Sequence, residues 1–141
     1  TGSFDPNDKH VNPVGVKDQH IIDSLDVLEY QINFQNTGTD TAFKVIIKDA
    51  ISQHLDISTI ELGASSHNYT FSIKTSRILQ YTFDNILLPD SNTNEPKSHG
   101  FVRFQIRQHP RNIHGTVIEN SVGLFFDFND PVIKTIYSVG S

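Results

Sequence analysis

The sequence predicts an all-β protein, a two-sheet Greek-key β-sandwich of about seven to nine antiparallel strands. Three observations predict it. The apolar set holds 16 Ile and 10 Val, with 11 Thr beside them, against 3 Ala and 8 Leu. Side chains branched at Cβ are stiff at χ1 and fit a pleated surface, whereas helices favour Ala and Leu. Apolar and polar residues alternate over much of the chain, the period of a half-buried strand. Turn chemistry recurs roughly every 8–12 residues, the spacing of short strands in a sandwich.

In chain order, residues 1–18 read as an extended lead-in and residues 19–141 as the sandwich domain. The lead-in carries Asp5-Pro6-Asn7-Asp8 and Asn12-Pro13, both turn formers, with one short strand expected near residues 14–16. Residues 28–35 alternate strictly, with Tyr30, Ile32 and Phe34 on one face and Glu29, Gln31, Asn33 and Gln35 on the other. A polar loop, Asn36 to Asp40, leads to a second strand with Phe43, Val45 and Ile47 inward and Lys44 and Lys48 outward. Residues 49–56 suit a single helical turn or an irregular crossing. Strands follow at 57–62, 69–74 and 78–84, then a long polar loop over 89–99. Residues 101–107 alternate with Val102, Phe104 and Ile106 inward. A long strand over 116–128 and a closing strand over 132–139 complete an Ig-like arrangement without the Cys–Trp–Cys set of antibody domains.

The same composition excludes several kinds of chemistry. With no Cys, there is no disulfide framework, thiolate zinc site or cysteine nucleophile. The net charge of −5 argues against nucleic acid and anionic membranes as partners. No apolar run approaches the roughly 20 residues of a membrane-spanning helix. The length of 141 residues suits one domain. With no Met, the chain is expected to be a processed product or an excised module.

Seven His residues invite a metal or catalytic reading, but no pair stands at a ligand spacing. Ser66-His67 are neighbours, and neighbours on an extended chain point apart. Glu29 and Glu119 would be the carboxylate pair of a glycosidase, yet both fall on polar strand faces. The chain is therefore expected not to be an enzyme.

Oxygen-rich clusters at the two ends, Asp5, Asn7 and Asp8 with Asp127, Asn129 and Asp130, are candidate calcium ligands, since calcium takes six to eight hard oxygens. The simpler reading of these residues is turn formation. Calcium is the one cofactor the sequence suggests. Arg103 and Arg107 form a basic stripe that could meet an acidic partner or pair across strands. Phe125 is a candidate aromatic contact for a glycan. Asn120 falls on the inner face with Ile118 and Val122, where an amide must be hydrogen-bonded. A Lys–Asn isopeptide, a sulfur-free staple, would use it, but needs a buried Lys and a nearby acid. Lys44, Lys48 and Lys74 all face outward, so an Asn that bridges backbone groups is expected instead.

Residues 30–45, YQINFQNTGTDTAFKV, resemble the strand–loop–strand signature of conserved-repeat Ig-like modules in bacterial surface proteins. Phe4-Asp5-Pro6-Asn7-Asp8-Lys9, Leu62-Gly63-Ala64-Ser65-Ser66-His67, Ser98-His99-Gly100-Phe101-Val102, Ile118-Glu119-Asn120 and Phe126-Asp127-Phe128-Asn129-Asp130-Pro131-Val132 are similar, in order, to a module of secreted Bacteroidetes proteins. In those proteins the module commonly precedes the sorting domain of the type IX secretion system. The resemblance implies an extracellular or cell-surface, structural or adhesive module with no catalytic residues to carry over. It implies partners among other domains or subunits of a surface assembly, with glycans as a further class. Two alternatives stand beside it: a filament subunit assembled head-to-tail by strand donation, and a carbohydrate-binding module.

Overall fold

A computed structural model describes residues 7–14, 27–75, 77–109, 119–127 and 135–140. Among the described residues are nine strands and one helical turn: β1 (Asp8–Val14), β2 (Val27–Gln35), β3 (Lys44–Ala50), β4 (Leu55–Ser65), β5 (Thr70–Lys74), β6 (Ile78–Phe83), α1 (Ser91–Asn94), β7 (His99–Gln108), β8 (Glu119–Asp127) and β9 (Thr135–Gly140). They form a four-stranded sheet, ordered β1-β2-β7-β4, and a five-stranded sheet, ordered β5-β6-β3-β8-β9. Each pairing between named strands is antiparallel. Strand for strand, β1, β2, β7 and β4 follow the ABED order of an Ig constant-type sandwich, and β3, β8 and β9 follow CFG. The β5–β6 hairpin extends the second sheet beyond β3.

The alternation read from sequence becomes the core. Tyr30, Ile32 and Phe34 of β2 and Val102, Phe104 and Ile106 of β7 line one inner face. Val45 and Ile47 of β3, Leu79, Tyr81 and Phe83 of β6, and Val122 and Leu124 of β8 line the other. Tyr30 stacks on Phe104 at 5.2 Å between ring centroids, and Phe34 meets Phe83 at 5.4 Å. The Phe34 ring lies directly over Gly100: a Cβ there would come 2.3 Å from the ring, so only glycine fits opposite this phenylalanine.

The structure moves several boundaries. Within the stretch read as a lead-in, residues 8–14 pair with β2 along their length; residues 15–18 lie outside the described residues. Phe43 precedes β3 and is 41 % exposed, because Ala42, paired with Leu88, takes the inward position instead. The polar loop contains α1, capped by the Asp90 carboxylate, which accepts from Thr93 N. The irregular crossing is a turn over residues 51–54, pinned by the Arg77 guanidinium, which donates to the Ser52 carbonyl at 2.7 Å and to the Leu55 carbonyl. β3 runs on to Ala50, which places Asp49 inside the sheet.

Candidate functional site

Lys9 and Asp49 meet between the two sheets. On β1 the alternation that leaves Asp8 half-buried turns Lys9 inward, opposite Ile32. On β3 the sequence Val45, Ile47, Asp49 continues the inward row, so Asp49 stands between Leu79 of β6 and Val122 of β8. Lys9 is 6 % exposed and Asp49 not at all. The Lys9 Nζ donates to both carboxylate oxygens, at 3.0 Å and 2.8 Å. It also lies 4.3 Å from the centroid of the Tyr30 ring and 5.6 Å from that of Phe104. The pair therefore ties β1 of one sheet to β3 of the other inside an aromatic enclosure.

Burial shifts both groups toward their neutral forms, and each partner opposes the shift in the other. Burial pushes the Lys9 ammonium below its usual pKa, against the attraction and hydrogen bonding of Asp49. Burial likewise pushes the Asp49 carboxyl above the usual carboxylate range, against Lys9. Tyr81 belongs to the same environment, since burial first and then the Asp49 charge hold its hydroxyl well above the usual phenol range. That hydroxyl is buried and has no hydrogen-bond partner among the described residues.

The sequence reading missed this pair. Lys9 sits in a segment whose Pro and Asn residues read as turns, and Asp49 was placed in the crossing after β3. The signals were there in hindsight: Lys9 and Val11 share a parity, and Asp49 extends the Val45, Ile47 row.

The candidate calcium residues have other roles where the structure describes them. Asn7 Oδ1 accepts from the Gln35 backbone N–H at 2.9 Å. Asp8 Oδ1 accepts from Asn33 Nδ2 at 2.8 Å, so both residues stitch β1 to β2. Asp127 ends β8, opposite Lys44 of β3, with its carbonyl accepting from Phe43 N. Connectivity puts Asp8 and Asp127 at the same end of the sandwich, where β2 passes to β3, but in opposite sheets. Asp5, Asn129 and Asp130 lie outside the described residues. Among the described residues no group of three or more His, Asp or Glu side chains is placed to hold a metal ion.

Arg103 is exposed on β7 and donates to Gln31 Oε1 of β2 at 2.7 Å, the cross-strand pairing considered above. Arg107, four residues on, is exposed on the same strand, opposite Asp56 of β4. Phe125 is half-buried on the outer side of β8, with Lys48 Nζ 5.4 Å from its ring centroid. Glu29 and Glu119 stand on strands of different sheets.

Ser66 and His67 do touch, Oγ to Nδ1 at 2.7 Å, because the chain bends after β4. Ser66 Oγ also accepts from the Phe101 backbone N–H at 2.8 Å, which fixes it as a pin between β4 and β7. His67 has its pKa lowered by burial. Among the described residues, no helix is long and apolar enough to cross a membrane.

A family profile described as "Domain of unknown function (DUF7619)" matches residues 5–138. No curated protein matches the sequence. Solved structures share the fold at low identity. The collagen-binding subdomain of the Enterococcus faecalis surface protein ACE superposes with a TM-score of 0.59 at 12% identity, covering 98% of this chain and 95% of that one. The collagen-binding domain of a Staphylococcus aureus adhesin gives 0.54 at 11% identity, covering 99% and 97%. BcpA, the major pilin subunit of Bacillus cereus, gives 0.61 at 13% identity; 94% of this chain matches 39% of that one.

Proposed function

Because the chain belongs to the DUF7619 family, a domain family of unknown function, we propose that it is a non-catalytic structural or adhesive module of an extracellular or cell-surface protein. One observation carries this reading: a sandwich of similar fold, matched over 98% of this chain and 95% of its own, forms the collagen-binding subdomain of a surface adhesin. The interior supports it as well. Buried strands of both sheets, clamped by a tie between sheets, suit a domain that must hold its shape outside the cell without disulfides. Placement in a Bacteroidetes protein that leaves by type IX secretion follows from the sequence resemblance and forms part of the same proposal.

Immunolabelling of intact source cells with antibodies to the folded domain tests the reading. Labelling without permeabilisation is expected, and labelling only after permeabilisation would sink it. Solid-phase binding to collagen and a glycan array then separates an adhesive module from a purely structural one.

A second reading, a subunit of a head-to-tail filament, draws on the likeness to a pilin. β1 is paired along its length with β2 in its own chain, so donation of that strand requires unpairing residues 8–14. An assembly through the exposed edges of the sheets carries no such requirement. Light scattering decides: a strict monomer at high concentration removes the filament reading.

A further inference from the structure

We propose that Lys9 and Asn120 are joined by an intramolecular isopeptide bond whose formation is promoted by Asp49. Three placements converge on it. Lys9 Nζ is enclosed between the sheets and held on both oxygens of Asp49. Asp49 stands directly opposite Val122 in the β3–β8 ladder. Asn120 lies two residues from Val122 along β8, on the strand face that buries Val122 and Leu124. It is thus the diagonal neighbour of Asp49, and diagonal positions in an antiparallel pair stand about 7–8 Å apart, within reach of longer side chains. The ladder register brings strand positions 49 and 120 to neighbouring places on β3 and β8, beside the Lys9–Asp49 contact.

The surroundings explain why this pair is more than an ion pair. A buried salt bridge stabilises weakly because both ions lose their water. Inside an aromatic enclosure the ammonium passes its proton to the carboxylate more readily than in water, which leaves an amine nucleophile and a carboxylic acid. Lys9 Nζ then attacks Cγ of Asn120, while the Asp49 carboxyl donates to the amide oxygen as negative charge develops there. The new C–N bond forms, the Cγ–Nδ2 bond breaks, and the proton lost by the amine leaves with Nδ2 as ammonia. Asp49 returns to its starting carboxylate when it passes the proton taken from Lys9 to the departing ammonia, which leaves as ammonium, and no oxidant or cofactor enters. The link joins β1 of one sheet to β8 of the other and closes most of the chain into a loop, which restricts the unfolded state.

Intact-mass measurement of the purified, folded chain reads the outcome directly. The protein is expected to be lighter than its sequence by one ammonia, and proteolysis is expected to yield a branched peptide joining the segments that carry Lys9 and Asn120. Lys9→Arg, Asn120→Ala and Asp49→Ala are each expected to restore the full sequence mass. A full mass in the folded wild-type chain, with both segments recovered as linear peptides, would overturn the proposal, and this reading does not depend on any variant folding. Loss of ammonia with an unbranched, cyclised Asn120 would also overturn it. Ammonia loss that persists in Asp49→Ala would remove Asp49 from its role.

Discussion

The chain places two Lys–Asp pairs in opposite surroundings. Lys9 and Asp49 touch at 2.8 Å with side chains 2 % and 0 % exposed; Lys44 and Asp84 stand 3.5 Å apart with side chains 40 % and 59 % exposed. At the surface, water already solvates both charges, and the pair contributes little. Between the sheets, each group depends on the other for its hydrogen bonds, and removing one strands its partner in a dry site. Identical residue types therefore differ in consequence by environment alone.

The largest expected effect lies in the dry pair. Asp49→Ala should lose about 3–5 kcal/mol in denaturant unfolding, as for other broken buried pairs. A loss below about 1 kcal/mol, the ceiling of an exposed pair, would erase the contrast with Lys44–Asp84.

Asn36 tests whether burial without charge falls between the two extremes. Its Nδ2 donates to the carbonyls of Asp40 and Leu88 at 2.8 Å and 2.9 Å, and its Oδ1 accepts from Gly38 N at 3.0 Å. Asn36→Ala orphans these groups and should lose roughly 1–3 kcal/mol by the same measurement. A loss equal to that of Asp49→Ala would mean that the ionisable pair adds nothing beyond an ordinary buried hydrogen-bonded side chain.

Lys44→Ala should shift stability by less than about 0.5 kcal/mol, and high salt should shrink even that. A larger change would give the surface pair a role its geometry denies.

The smallest effect concerns His67, a half-buried titratable group at the end of β4. Burial lowers its pKa from 6.5, so the unfolded chain takes the proton first. Its contribution to stability is complete above pH 6.5 and is lost as pH falls through the folded-state value. Thermal melts from pH 7.5 to pH 5 should show a small loss in the wild type that His67→Asn lacks. Parallel pH profiles would assign the loss to other groups.

Much of the fold was legible before any coordinates. Residues 28–35 and 101–107 alternate so strictly that their inner faces could be named, and each inner residue is buried. The site was hardly legible. Lys44, Lys48 and Lys74 are polar-face residues of recognisable strands, whereas Lys9 stands among turn formers, where no local pattern marks a residue as buried. Asn12-Pro13 argued for a turn, yet β1 is an edge strand and accommodates Pro13. Phe43 failed in the opposite sense: its parity pointed inward, but β3 begins one residue later and Ala42 fills the interior.

By itself the sequence determined which residues lie on one face of each strand, because a period of two is a local property of extended backbone. It also determined that no disulfide stabilises the sandwich. Which inner faces meet was decided only by the tertiary structure. Lys9 and Asp49 are 40 residues apart and belong to different sheets, and nothing local to either says that the other will be there. Packing two sheets face to face brought them together, removed their water, and made a lysine in a turn-rich segment and an aspartate near the end of a strand into a buried pair that ties one sheet to the other.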